Sequence, residues 1–252
     1  MTNGAAALAL PLAKVGEVGE SFFHHRTSET LPCQAQSSHL FCFDWAKENI
    51  DSFATPTQQH LELVLFSIFA GFVVAMALAL LAHRRRWLQA PLLAITGVIY
   101  TVPSIAFFFL LLPVTGLGRD TVIIALSAYT LQIIYRNAIA GLANVPAAAK
   151  DAARGMGLTE TQILWRVELP LATPEIVAGL RVATVSTVAL ATFAVFVNAG
   201  GLGVKIYGGG NLTFPTSIII AGGIAMLMAG AFHMALVGIE RYATPWRRAA
   251  AA

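Results

Sequence analysis

The sequence predicts an all-α integral membrane protein with five transmembrane helices, its N-terminus outside the membrane and its C-terminus inside. Three observations predict it. Hydrophobic residues make up 57% of the 252-residue chain and charged residues only 12%, against about 25% charged in an ordinary globular domain. The acidic residues leave carboxylate-free stretches from Leu63 to Arg119, Thr121 to Lys150 and Ile176 to Ile239, a spacing that suits a bilayer. The basic residues fall in short groups between apolar runs, so the net charge of +3 reads as a topology signal and not as a nucleic-acid-binding face.

A span needs about 20 predominantly apolar residues. Five segments reach that length: Leu61 to Ala82, Leu88 to Pro113, Asp120 to Ala140, Glu175 to Asn198 and Pro215 to Ile239. They divide the chain into an N-terminal tail (1–57), a transmembrane body (58–241) and a C-terminal tail (242–252). In the N-terminal tail, Ala5 to Leu12 is too short to cross a membrane and lacks the basic flank of a signal peptide. Trp45 to Phe53 reads as an amphipathic stretch lying along the outer interface. Two connections are long. One is residues 143–173, of mixed polarity; the other is the glycine-rich stretch from Ala199 to Leu212. There Gly200, Gly201 and Gly203 predict either a tight turn re-entering the bundle or a flexible surface loop, and Gly208, Gly209 and Gly210 extend the flexible region.

Lys and Arg near span ends set the orientation. Arg84, Arg85 and Arg86, then Lys150, Arg154 and Arg166, then Arg241, Arg247 and Arg248 all fall on one side of a five-span arrangement, the cytoplasmic one. The other side carries Lys14, Arg26, Lys47, Arg119 and Lys205. Cys33 and Cys42 then lie where oxidation is allowed. A bond between them would contribute about 3 kcal/mol and tether Phe41, Phe43 and Trp45; the alternative is two unpaired thiols in a disordered tail.

Several chemistries are excluded by what the apolar layer lacks. Glu62, Asp120, Glu175 and Glu240 sit at span ends, which leaves no paired carboxylates for acid/base work or proton transfer. An intramembrane hydrolase would need a nucleophile with its base, and neither pairing is present. His233 stands alone in span five and reads as a packing residue. His24, His25, His39, His60 and His83 lack metal-ligand spacing, so no metal site is expected. Arg136 lies near a span end, where it can snorkel as an interfacial anchor. A P-loop needs Gly immediately before its Lys, whereas Lys14, Lys47, Lys150 and Lys205 follow Ala, Ala, Ala and Val. No cofactor is expected on this chain. Any ATP and Mg belong to a separate ATPase subunit.

The most specific pattern lies in the 143–173 connection, which reads Asp151-Ala-Ala-Arg-Gly-Met-Gly157 and continues to Val167, Leu169 and Pro170. It resembles the EAA loop of ATP-binding-cassette (ABC) importer permeases, whose pattern is an acid and two alanines, a glycine four residues later, and a hydrophobic-x-Leu-Pro ending. Asp151 for Glu and Val167 for Ile are the departures. Small Ala152 and Ala153 let a helix approach a partner closely, and Gly155 and Gly157 permit a sharp break. A second short helix, Glu160 to Val167, then leads back to Pro170. The bland alternative is an amphipathic loop packed on its own helices.

A wider set of residues is similar to permeases of the osmoprotectant branch, which import glycine betaine, choline and carnitine. They are Thr101-Val-Pro-Ser104, Arg136-Asn137, Ala153-Arg-Gly-Met-Gly157, Val167-Glu-Leu-Pro-Leu171, Ala178-Gly-Leu-Arg181 and Asn198-Ala-Gly-Gly-Leu-Gly203, and the likeness runs from Gln59 to Arg241. The resemblance implies the type I ABC importer, MetI-like, permease plan in a prokaryotic inner membrane. It also implies ABC ATPase subunits, a second copy or a related permease, and an extracytoplasmic substrate-binding protein as partners. A methionine-type importer permease shares the plan and is one alternative; a membrane scaffold that transports nothing is another. A quaternary ammonium is held best by aromatic faces, at about 0.5–2 kcal/mol per contact. Tyr100, Tyr129 and Tyr135 are the candidate aromatics of a translocation pathway, with Ser104, Gln132, Ser186 and Thr187 as its polar lining; Phe107, Phe108 and Phe109 read as packing.

Overall fold

The computed structural model describes residues 41–212 and 214–245. Its helices are α1 (Phe43–Asn49), α2 (Ala54–Arg84), α3 (Gln89–Thr101), α4 (Ser104–Thr115), α5 (Arg119–Ala143), α6 (Ala147–Gly155), α7 (Glu160–Ile163), α8 (Leu169–Leu190), α9 (Gly203–Asn211) and α10 (Pro215–Ala243). Tighter 3-10 turns cover Ile50–Phe53 and Ala191–Val197, and a π turn covers Leu164–Glu168.

Among the described residues, four helical rods are long and apolar enough to cross a membrane: Phe43–Arg84, Arg119–Ala143, Glu160–Val197 and Pro215–Ala243. The remaining span is not the straight helix expected from Leu88 to Pro113. Arg86–Thr101 and Ser104–Thr115 are apolar enough only as a pair, and the pair is bent by 101°. Pro103 causes the bend. It has no N–H to continue the helix and holds Val102 in extended backbone (φ −67°, ψ 130°).

The stretch Trp45–Phe53 is helical, as an interfacial helix would be, and it runs on into α2. Packing explains this. Phe53 is buried, Trp45 meets the rings of Phe53 and Phe214 edge-on at 6.3 and 4.8 Å, and the Cys42 N–H donates to Thr216 Oγ1 over 2.9 Å. Cys42 is not a free thiol. Cys33 lies outside the described residues, as do Arg247, Arg248 and residues 1–40 of the N-terminal tail.

α5 is the central rod, packed between α2 and α8. Small residues make the contact possible, since apolar helices in lipid gain little by hiding from one another and associate through close fit. Ala75, Ala79 and Ala82 of α2 are fully buried. A Cβ on Gly71 would sit 1.7 Å from Thr130 Oγ1, and one on Gly179 would sit 2.5 Å from Asn137 Cβ. Phe69, Met226 and Leu227 face outward, as lipid-facing residues do.

The glycine-rich stretch is ordered. Asn198, Gly200 and Gly201 take φ values of 57°, 79° and 85°, and the Gly201 N–H donates to Gln59 Oε1 over 3.1 Å. This is the tight, packed turn of the two alternatives. The flexibility expected of Gly208, Gly209 and Gly210 is corrected, because all three belong to α9. Gly209 is there for contact: a Cβ would fall 2.9 Å from Ile218 Cγ1 of α10.

Candidate functional site

The α5–α8 connection is a helix-turn-helix. α6 ends in a Schellman motif, with the Leu158 N–H on Ala153 O (3.2 Å) and the Gly157 N–H on Arg154 O (2.9 Å). Gly157 supplies the left-handed residue that motif needs, at φ 78°. Gly155, expected to share the break, is the last residue of α6 and keeps a right-handed helical backbone. Thr159 starts α7 through a capping box with Gln162, the Thr159 N–H donating to Gln162 Oε1 over 2.9 Å. Arg154 clasps the two helices, with Nη1 on Asp151 Oδ1 at 3.1 Å and Nε on Glu160 Oε1 at 2.9 Å. The Glu160 carboxylate, followed by that of Asp151, pushes the guanidinium's pKa further up.

Of the predicted coupling residues, Ala153 is buried inside the hairpin, whereas Asp151, Ala152, Gly155 and Gly157 are exposed. With Met156, 72% exposed, they present a small-residue surface with an apolar tip. The expected second helix does not stop before the membrane. α7, the π turn and α8 form one continuous rod, with Leu169 and Pro170 half-buried at the start of α8.

Beneath the hairpin lies an ionic cluster that sequence reasoning missed. Glu168 is buried; its Oε1 lies 2.9 Å from Lys150 Nζ of α6, and its Oε2 lies 2.7 Å from His83 Nε2 at the end of α2. A carboxylate only accepts hydrogen bonds, so both cross-element partners are donors. The one available signal was Glu168 itself, an acid inside an otherwise apolar Val167-Glu-Leu-Pro run.

The pathway candidates are only partly gathered. Tyr129 is nearly buried, and its hydroxyl donates to Val102 O at the broken span. Its ring meets those of Tyr100 and Phe107 edge-on, each at 5.7 Å. Thr96 donates to Gln132 Oε1, joining α3 to α5. Ser104 is half-buried at the start of α4. Tyr135 is fully buried within the α2–α5–α8 core. Thr187 is buried and donates to its own helix at Ala183 O over 2.7 Å, while Ser186 is half-buried on α8. The structure therefore brings Tyr100 and Tyr129 together and leaves Tyr135 and Thr187 in packing positions.

A second aromatic group was not singled out from the sequence. In a 3-10 turn, residues three apart eclipse. Phe193 and Phe196 accordingly stack at 6.4 Å, and Tyr207 of α9 meets Phe196 edge-on at 5.3 Å. All three remain part-exposed, as do Val182 and Val185 along the same α8 stripe. The 3-10 winding that aligns the two phenylalanines left no mark in composition.

The family described as binding-protein-dependent transport system inner membrane component matches residues 67–239. Among curated proteins, the glycine betaine/carnitine/choline transport system permease protein OpuCD of Bacillus subtilis is 37% identical over 191 residues, covering 75% of this chain and 83% of that protein. The choline transport system permease protein OpuBD of the same organism is 41% identical, covering 72% and 80%. The osmoprotectant import permease protein OsmW of Salmonella typhimurium is 34% identical, covering 76% and 87%. Among solved structures, a chain of the inward-facing MetNI methionine ABC transporter superposes with a TM-score of 0.70 at 23% identity, over 76% of this chain and 96% of that one. That likeness establishes the fold.

Proposed function

The chain belongs to the binding-protein-dependent transport system inner membrane component family, and from that premise we propose that it is the pore-forming permease of an ATP-driven importer of quaternary-amine osmoprotectants such as glycine betaine, choline or carnitine. The observation that carries the reading is the α6–α7 hairpin, closed by Gly157 and by the Arg154 clasp and exposing Ala152, Gly155 and Met156. Its position between two central spans suits a lever. A helix-turn-helix with a small-residue surface seats in a groove of an ATPase subunit, and the rigid rod from α7 into α8 carries rigid-body motion into the membrane.

On this reading the hairpin faces the cytoplasm of a prokaryotic cell, in line with the Lys and Arg bias, and the α1 and α9 end faces outward. Two permease chains, identical or related, stand beside two ATPases that hold ATP and its Mg. A soluble binding protein delivers the solute outside. ATP-driven closure of the ATPases switches the cavity from inward to outward facing, and hydrolysis returns it.

The names of the 34–41% identical relatives support the substrate class. A permanent cation without N–H or O–H donors is matched by ring faces, and the Tyr100–Tyr129 pair with Ser104 and Gln132, together with Phe193, Phe196 and Tyr207, are the candidate lining. Deleting Ala152 to Gly157 should leave the protein inserted and abolish co-purification with the ATPase; retained co-purification would refute the docking role. Uptake of radiolabelled betaine against methionine tests the substrate class, and transport of methionine alone would overturn it.

A further inference from the structure

Among the described residues Glu168 is the only buried carboxylate, and its two partners come from different elements, Lys150 from α6 and His83 from the last turn of α2. Taking a carboxylate out of water is costly unless good hydrogen bonds repay it, so this placement calls for a role beyond filling space. Local winding produces it. Pro170 and Pro174 have no N–H for the preceding turn, and the backbone runs as a π turn over Leu164–Glu168. Leu164 and Glu168, four residues apart, share one buried face, and Trp165 and Arg166 are exposed.

We propose that Glu168 is a positioning residue that makes the end of α2 travel with the hairpin, so that a docked ATPase drives two spans at once. α8 needs no such device, being one rod with α7. α2 is separated from α6 by three helices of sequence. What α2 otherwise shares with this region is apolar packing of Ala79 and Ala82 in one cluster with Leu164, and apolar contact is non-directional and permits sliding. Charge-assisted hydrogen bonds have a defined geometry. The bridge from Lys150 through Glu168 to His83 thus pins the register of α2 against the hairpin.

The inference rests on the ATPase-docking reading of the hairpin. Its test uses the complete complex of permease, ATPase and binding protein in proteoliposomes, with spin labels on cysteines introduced at Arg85 and Ala148, both exposed. The distance between the labels should be the same with and without ATP. In Glu168→Gln, which keeps the size and loses the charge, the distance distribution should broaden. The solute moved per ATP hydrolysed should also fall by roughly tenfold, mid-range for coupling between two sites. Lys150→Glu combined with Glu168→Lys rebuilds the pair in reverse, with His83 accepting as neutral imidazole, and should restore both readouts where either change alone does not.

A native label distance that shifts on ATP binding, or a native transport ratio in Glu168→Gln, overturns the proposal. If Glu168→Gln does not insert, His83→Leu takes its place: it leaves the Lys150–Glu168 pair intact and should still lower the ratio, and a native ratio there is equally fatal. Failure of the unaltered complex to hold its ATPase would instead refute the docking reading. An assembled Glu168→Gln complex with unchanged coupling refutes the bridge alone.

Discussion

Gly203 lies so close to the backbone of Thr192 that a Cβ at Gly203 would come within 1.8 Å of the Thr192 carbonyl oxygen. That contact seats the turn after α8 against the 3-10 segment carrying Phe193 and Phe196. Gly203→Ala should therefore force a backbone shift and lower stability by about 1–3 kcal/mol, the usual range for overpacking. Gly208→Ala, in the same helix with open space around it, should be neutral or raise stability by up to about 1 kcal/mol through helix propensity. Thermal melting of the purified protein in detergent compares the two, and equal effects would contradict the packed turn.

Tyr129→Phe removes one hydroxyl, the donor that satisfies Val102 O where the span breaks. The expected loss is about 0.5–1.5 kcal/mol for a hydrogen bond that water does not replace. Melting detects it, and initial uptake rates should fall as the bend loosens. A variant that melts and transports like the native protein would mean that the bend holds without this bond.

Gly157→Ala places a side chain at φ 78°, which costs about 1–2 kcal/mol in left-handed backbone, although nothing crowds the site. The hairpin should loosen and ATPase co-purification should weaken while the spans stay inserted. Ala152→Trp should leave stability unchanged, since the position is exposed, and block co-purification by filling the contact surface. Pull-down with the cognate ATPase separates the two mechanisms.

Phe196→Leu keeps bulk and removes the ring that contacts both Phe193 and Tyr207. A cation–π contact is worth about 0.5–2 kcal/mol, so the apparent KM for betaine uptake by the complete system should rise by about two- to thirtyfold, with expression unchanged. Uptake kinetics measure it, and an unchanged KM would remove this cluster from the candidate lining.

Much of the architecture was legible because membrane spans follow a coarse rule, apolar length bounded by charge. Asp120 and Glu240 marked helix ends within a few residues, whereas Glu175 falls inside the rod that begins at Glu160, and the spacing from Asp151 to Pro170 located the hairpin. Less legible was whatever depends on a neighbour met only in three dimensions. Pro103 was read as part of a motif within one straight span, because a proline bends a helix by an amount that surrounding partners such as Tyr129 help to set. Gly208–Gly210 looked flexible because a glycine run has the same composition whether it frees a chain or lets two helices touch. Tyr135 was singled out for its ring and Thr187 for its hydroxyl, and only the fold shows that the first is buried among α2, α5 and α8 and that the second bonds its own backbone. His83, Lys150 and Glu168 lie far apart in sequence, so nothing short of the fold could bring them together.

The π turn at Leu164–Glu168 makes the length of this segment a matter of angle. A π turn holds one residue more than the α-helical turn it replaces, so deleting one residue between Leu164 and Glu168, and letting the coil relax to the ordinary winding of about 100° per residue, keeps the hairpin in rotational phase with α8, whereas adding a residue turns it by about 100°. Natural variants of this segment should therefore tolerate loss of the one extra residue far better than gain of another, even a gain that preserves every hydrophobic position.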